Sequence, residues 1–213
     1  MPTRRTALIV IGAIALRITS SKPIGDAWAQ AGDQAGDQAV RFVKSASERL
    51  AAIVNSNDSP QEKRERLKNV IDSTVDVDDL GRFCLGRFWR LATPDQQKQY
   101  MALFHDLLVM KVAAHLGEYK GVKVDVGLAR RSADTEIVIT KIEGRTTATP
   151  RVDWVVSTTS GTPKIVDLLA GDTSLRLTQS ADFIAYLAHH NYSVQDLIEG
   201  MRQMLARTPN VLR

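Results

Sequence analysis

Four histidines and one cysteine are the side chains of this 213-residue chain best suited to catalysis or metal binding, and their spacing argues against most such chemistry. His105 and His115 stand ten residues apart in a helical pattern. That is about 80° around the helix and roughly 15 Å along it, too far for one metal ion. His189-His190 are adjacent near a predicted helix end, which is not ligand spacing either. Asp172 and Ser174 with a distant histidine would make a hydrolytic set only if a Gly-x-Ser-x-Gly elbow exposed the serine. None is present, and a polar turn after a strand accounts for the pair. Gly81 and Gly86 lie in a helical segment with no following Lys-Ser/Thr, so no phosphate loop is formed. Arg130-Arg131 and Arg145 fall in predicted strand loops without interleaved aromatics, a pattern of solvated charge rather than of a nucleic-acid face. The sequence therefore predicts no catalytic residue, no metal site and no cofactor.

Cys84 is the only cysteine, so no internal disulfide can form and stability must come from packing. With no histidine or second cysteine beside it in sequence, Cys84 reads as a small buried apolar side chain.

The first residues carry an address rather than a fold. Arg4 and Arg5 precede an apolar run from Ala7 to Leu16, and Ala27-Trp28-Ala29 follows as a small-x-small cleavage pattern. Residues 1–29 are thus expected to be a secretory signal peptide. The run is about ten residues, half of what a membrane-spanning helix needs. Four basic residues against Asp26 lie in this leader, so of the +4 net charge only about +1 stays on the mature chain. Residues 30–39 are expected to be a flexible linker, 40–207 a single domain and 208–213 a C-terminal tail.

Within that domain the hydrophobic period is first helical. Val40, Val43, Leu50, Ile53 and Val54 mark a first amphipathic helix. Ser59-Pro60-Gln61-Glu62 caps and starts a second through Leu67, Val70 and Ile71. A third, short one begins at Asp76–Asp79 around Leu80 and Phe83. Thr93-Pro94-Asp95-Gln96 repeats the capping pattern before the longest predicted helix, which carries Tyr100, Leu103, Phe104, Leu107, Leu108, Val112 and Leu116. After Gly121 the period becomes two: Val122, Val124 and Val126; Ile137 and Ile139; Val152, Trp154 and Val156; Ile165, Val166 and Leu168. Two helices close the chain, one through Phe183, Ile184 and Leu187, the other capped by Ser193 and carrying Leu197, Ile198, Met201 and Leu205. The expected fold is α+β, with several helices packed on one face of a curved four-stranded antiparallel sheet and an apolar pocket between the layers.

One ordered set of residues goes further. Leu85-Gly86-Arg87-Phe88-Trp89-Arg90, then Thr93-Pro94-Asp95-Gln96-Gln97, then Tyr100, Phe104, Leu107-Leu108, Leu116, Glu118 and Tyr119 resembles the MlaC family, periplasmic carriers first described as toluene-tolerance proteins. The match continues through Asp167, Gly171, Ser174, Leu175 and Phe183 and covers about residues 40 to 207. Ser174-Leu175-Arg176-Leu177-Thr178-Gln179 with Asp182-Phe183 looks closer to the hopanoid-associated HpnM branch than to the phospholipid branch. Three positions depart from the family pattern: Val112 where tyrosine is common, Gln179-Ser180 where Tyr-Arg is frequent, and Pro163 near a usual tryptophan. The resemblance implies a periplasmic shuttle of a membrane lipid, hopanoid or phospholipid, between inner and outer membranes. Its implied partners are an inner-membrane transporter and an outer-membrane complex.

Physics gives the same reading a basis. Each methylene exposed to water costs about 0.8 kcal/mol, so a chain of about sixteen carbons faces a barrier on the order of 10 kcal/mol in crossing an aqueous compartment alone. A preformed apolar cavity of roughly 300–1,000 Å³ or more lowers it without any charged group inside. The expected lining is Leu80, Phe83, Leu103, Leu107 and Leu116 from helices, Val124, Ile139, Trp154 and Val156 from the sheet, and Phe183 and Leu187 from the C-terminal region. Each of these also suits an ordinary core. Arg87, Trp89 and Arg90 are expected to hold a head group or face a partner, unless Trp89 is simply packed with the arginines lying over it. Two other readings stay open: a lipid-modifying enzyme, which requires a buried acid or base of shifted pKa in the pocket, and a periplasmic interaction module with an exposed apolar groove.

Overall fold

The computed structural model describes residues 24–116, 121, 123–143 and 151–207, with side chains from residue 34 onward other than those of Leu116 and Glu143. Most of the expected leader, Glu118, Tyr119, Val122, Arg145 and the C-terminal tail lie outside the described residues.

Helix α1, Ile24–Asn55, is the longest in the chain. It runs through residues 30–39, where the sequence predicts a flexible linker. The Gly- and Asp-rich stretch is a weak helix former, but tertiary contact decides. A Cβ on Gly36 would lie 3.5 Å from the Ala129 Cβ, ordinary contact distance, so this part of the helix lies against β1. Ala39, Val43, Ala46 and Ile53 continue the buried face.

Helix α2, Pro60–Thr74, begins with the capping box expected from sequence. The Ser59 amide donates to Glu62 Oε2 at 2.8 Å, and the Glu62 amide donates to Ser59 Oγ at 3.3 Å. Ser59→Ala is expected to cost about 1 kcal/mol and lower Tm by about 3 °C. Hydrogen bonds from Ser59 hold the Glu62 carboxyl below its ordinary value of 4.5. A lowered folded-state pKa means a stabilisation present above 4.5 and lost as the pH falls through the lowered value. The Tm gap between wild type and Ser59→Ala should therefore narrow in acid by the share of the hydroxyl–carboxylate bond, while the bond from the Glu62 amide to Ser59 Oγ keeps the rest; a gap that stays constant would refute a contribution from the carboxylate.

Helix α3, Val77–Leu85, is capped by Asp76 and ends at Gly86, whose φ of 56° and ψ of −132° suit a residue without a Cβ. A 3-10 turn, Gly86–Arg90, follows. Helix α4, Pro94–Leu116, starts on the Thr93/Gln96 box, with the Thr93 amide donating to Gln96 Oε1 at 3.0 Å and the Gln96 amide to Thr93 Oγ1 at 3.2 Å.

Strands β1 (Lys123–Ser132), β2 (Thr135–Glu143), β3 (Arg151–Ser157), β4 (Lys164–Ala170) and β5 (Thr173–Ser174) form an open antiparallel sheet in chain order. Four strands are those expected; β5 is two residues long and carries no periodicity to read. A bulge between Val126 and Ala129 interrupts the β1–β2 ladder. The register pairs Val124 with Ile142, Val138 with Trp154, Glu136 with Val156 and Ile139 with Asp153. Helices α5 (Leu175–His189) and α6 (Val194–Arg207) end the described chain, giving an α+β fold of six α-helices and a five-stranded sheet.

The buried apolar residues form separate clusters. A helical one joins α3, the 3-10 turn, α4, α5 and α6 around Tyr100, Phe104 and Phe183. A second joins α1, α2 and α4 through Ile53, Leu67, Val70, Val109 and Ala113. A third packs Ala39 and Val43 of α1 on Val138 and Val156, with Val126, Ala129 and Trp154 partly buried against it.

Candidate functional site

Helix α4 is apolar on nearly every side, as expected of a helix surrounded by structure. Tyr100, Phe104, Leu107 and Met110 look into the helical cluster, while Val109 and Ala113 look towards α1 and α2. Between these faces Met101, Leu108 and Val112, within about 40° of one another around the helix, are only half-buried. The close neighbours of α4 are α2, α3 and α6, whereas the helices that approach the strands are chiefly α1, α3 and α5. A domain of this size usually has one contiguous core. Here apolar side chains on both layers are left short of full burial: Leu108 and Val112 on α4, Val126 and Trp154 on the sheet.

The residues expected to line a pocket divide among these regions. Leu80, Leu107, Phe183 and Leu187 are buried together in the helical cluster, with Leu103 packed against them. Val156 lies in the cluster beneath α1 with Trp154 at its margin. The register puts Val124, Trp154 and Val156 on one sheet face and Ile139 on the other, so the four strand residues do not form one wall. Phe83 is at the surface under the Arg176 guanidinium, 4.4 Å from its ring. The Leu116 side chain lies outside the described residues. Arg87 and Arg90 are exposed, and Trp89 packs edge-on against Tyr100 at 6.4 Å.

Trp154 is held by a polar contact inside the sheet. Its indole N–H donates to Thr140 Oγ1 at 3.0 Å, and that hydroxyl donates to the Val152 carbonyl at 2.7 Å. This satisfies the buried hydroxyl and fixes the ring.

Ser174 is the N-cap of α5: its hydroxyl donates to Asp167 Oδ2 at 2.6 Å and accepts the Leu177 amide at 3.1 Å. The hydroxyl is thereby committed to structure. Asp167 is one of three buried carboxylates among the described residues, and each faces an arginine: Asp167 with Arg176 at 3.6 Å, Asp153 with Arg151 at 2.5 Å, Glu136 with Arg131 at 3.6 Å. Burial pushes the Cys84 thiol up to about 12, with the nearby Asp167 charge adding to the effect, so it is a thiol and not a thiolate at neutral pH.

A cleft of about 570 Å³ opens where α2 meets α3, beside α4 and the β3–β4 turn. Asp72, Asp76, Asp78, His105 and Lys164 line it over Val75, Val77 and Met101, and none of the residues expected to line a lipid pocket does. His105 Nε2 lies 2.5 Å from Asp72 Oδ1, tying α4 to α2. Sequence reasoning missed this cleft because its residues come from three separate segments, 72–78, 101–105 and 160–164, with no shared spacing. It also missed Leu108 and Val112 as the half-buried side of α4, since helical periodicity cannot rank faces when all are apolar. No group of three or more His, Cys, Asp or Glu residues suited to a metal exists among the described residues. None of the described helices is long and apolar enough to cross a membrane.

Architecture and chemistry together define an α+β domain built on packing, with its polar groups committed to caps and ion pairs. The same fold is found in the phospholipid-binding protein from Ralstonia solanacearum, solved in complex with a phospholipid. The TM-score is 0.70 at 21% sequence identity, covering 80% of this chain and 98% of that one. No curated protein matches the chain. The family model described as MlaC protein matches residues 41–203, and the chain belongs to the MlaC family.

Proposed function

We propose that this protein is a periplasmic lipid-binding carrier, exported through an N-terminal signal peptide, that shelters a membrane lipid as it moves between inner and outer membranes and catalyses no reaction. The observation that carries this reading is membership of the MlaC family across nearly the whole described domain. The phospholipid in the Ralstonia protein of the same fold supports it, as do the half-buried apolar side chains at the margins of two clusters, Leu108 and Val112 of one and Val126 and Trp154 of the other. In this reading the acyl chains lie between the Leu108–Val112 side of α4 and the sheet face that bears Trp154 and Val124. The core around Leu80, Leu103, Leu107, Phe183 and Leu187 forms the back wall rather than the contact surface. Val112, where the family commonly has tyrosine, puts a smaller side chain on that side of α4, and the proposed cargo is a hopanoid or a phospholipid. An inner-membrane transporter and an outer-membrane complex supply and receive it.

The test is mass spectrometry of lipids extracted from the purified exported protein, paired with a transfer assay between donor and acceptor vesicles. A stoichiometric phospholipid or hopanoid and protein-dependent transfer are expected. Protein that emerges lipid-free and moves neither lipid would overturn the reading, and a chemically altered lipid after incubation would replace it with an enzymatic one.

A further inference from the structure

The geometry points to a bilayer-docking corner: the end of α3, the 3-10 turn and the outward side of α5 rest on an anionic membrane surface. Three arginines here are stacked on aromatic rings. The Arg82 guanidinium lies 5.2 Å from the Trp89 ring, Arg87 lies 4.9 Å from Phe88, and Arg176 lies 4.4 Å from Phe83. Stacking fixes a guanidinium at low entropic cost and leaves the edge N–H groups of the exposed Arg82 and Arg87 to meet phosphate, while Arg176 also faces the buried Asp167 at 3.6 Å and ties the corner to the sheet. Arg90 is exposed beside them. Residues 80–93 and 173–192 hold four arginines and one acid, Asp182; Arg176 is paired with Asp167 of β4, and Asp78 and Asp79 sit at the opposite end of α3.

The same corner shows large apolar side chains to solvent. Leu91 is 72% exposed, Leu177 58% and Ile184 45%. Leu177, Ala181, Ile184 and Ala188 follow one another at helical spacing, all exposed, making one apolar stripe along α5. The stripe adjoins the arginines. Ser180, within about 60° of both Leu177 and Ile184 around the helix, donates to the Cys84 carbonyl at 3.3 Å and so places this side of α5 along α3. Phe88 stacks on the exposed Tyr192 at 5.8 Å, joining the 3-10 turn to the far end of α5.

A convex helical ridge, apolar along its crest and basic along its flank, matches a soft anionic interface better than a rigid protein groove. The apolar residues enter the acyl boundary while the arginines stay at phosphate level. Two leucine-sized anchors and a few cations give weak, reversible attachment, which a protein that works at two membranes needs. This inference concerns where the protein touches the bilayer and stands apart from whether it carries a lipid.

Flotation of the exported protein with vesicles tests it. Binding is expected to equimolar phosphatidylglycerol and phosphatidylethanolamine, to fall on adding salt, and to be absent with phosphatidylcholine alone. Arg87→Gln/Arg90→Gln should lower partitioning about thirtyfold at low salt. Leu177→Ser/Ile184→Ser should lower it about tenfold or more, with circular dichroism and the amount of co-purified lipid unchanged. The docking corner is overturned if the wild type fails to float with anionic vesicles, if it binds both vesicle types equally, or if both folded variants bind like wild type. Co-purified lipid is read separately, so a failed carrier and a failed docking surface give different results.

Discussion

Asp167→Ala is expected to destabilise the protein by about 3–5 kcal/mol, the cost of removing one partner of a buried charge pair. From β4 the Asp167 carboxylate accepts the Leu168 amide at 2.8 Å, the Arg176 amide at 3.0 Å and the Ser174 hydroxyl at 2.6 Å, with Arg176 Nε at 3.6 Å. Without it three donors lose their acceptor and the Arg176 guanidinium loses its nearby counter-charge in a buried site. The Ser174 hydroxyl also loses the partner that orients it to cap α5. Asp167→Asn keeps the shape and one acceptor oxygen and should recover part of the loss. Urea unfolding of both variants checks this; a change below about 1 kcal/mol for alanine would show the network to be incidental.

Tyr100→Ala should cost a similar amount, about 3–5 kcal/mol, by opening a cavity at the centre of the helical cluster. The ring is wholly buried, with Phe104 at 5.8 Å, Phe183 at 6.0 Å and Trp89 at 6.4 Å around it. Its hydroxyl donates to the Gly81 carbonyl at 2.8 Å, and burial pushes its pKa far up, so it acts only as a neutral donor. Tyr100→Phe keeps the ring and gives up the hydrogen bond, so about 1 kcal/mol is expected. Equilibrium unfolding separates the two contributions, and equal losses for both variants would contradict the packing account.

These two sites differ in how far the sequence discloses them. Tyr100 stands on an apolar period after the Thr93–Gln96 cap, so its burial is legible from spacing alone. The role of Asp167 is not, because its partners lie seven and nine residues onward across β5, a strand too short to show a pattern. Local chemistry reads well throughout: the Ser59/Glu62 and Thr93/Gln96 boxes and the alternation in β1 to β4 all follow from nearest neighbours. Long-range geometry does not. The extension of α1 over residues 30–39 sets Ala31, Ala35, Ala39 and the glutamines against Gly32, Gly36 and two aspartates, a balance that spacing does not decide and that contact with the sheet tips to helix. Ile139 was expected beside Trp154 on one wall, yet the one-residue offset in pairing turns it to the other face, a choice made by register rather than composition. Leu103 and Leu107 share apolar character with Leu108 and Val112, and only the placement of α6 assigns the first pair to the core. The stacked arginines are half legible: Leu-Gly-Arg-Phe-Trp-Arg announces cations among aromatics, while Arg176 reaches Phe83 from a distant segment.

The outer border of the sheet bears on how the protein survives in solution. Strand β1 is ten residues long and has a neighbour on one side only, a template on which another chain could grow. Its bulge at Gly127-Leu128 breaks the straight run of donors and acceptors, and the exposed Lys123, Asp125, Arg130 and Arg131 place charge along the remainder. Two copies meeting along this border would have to accommodate the bulge and bring charged side chains together. A protein that shows large apolar side chains such as Leu91 and Leu177 on its surface thus keeps its sheet edge a poor template for another chain.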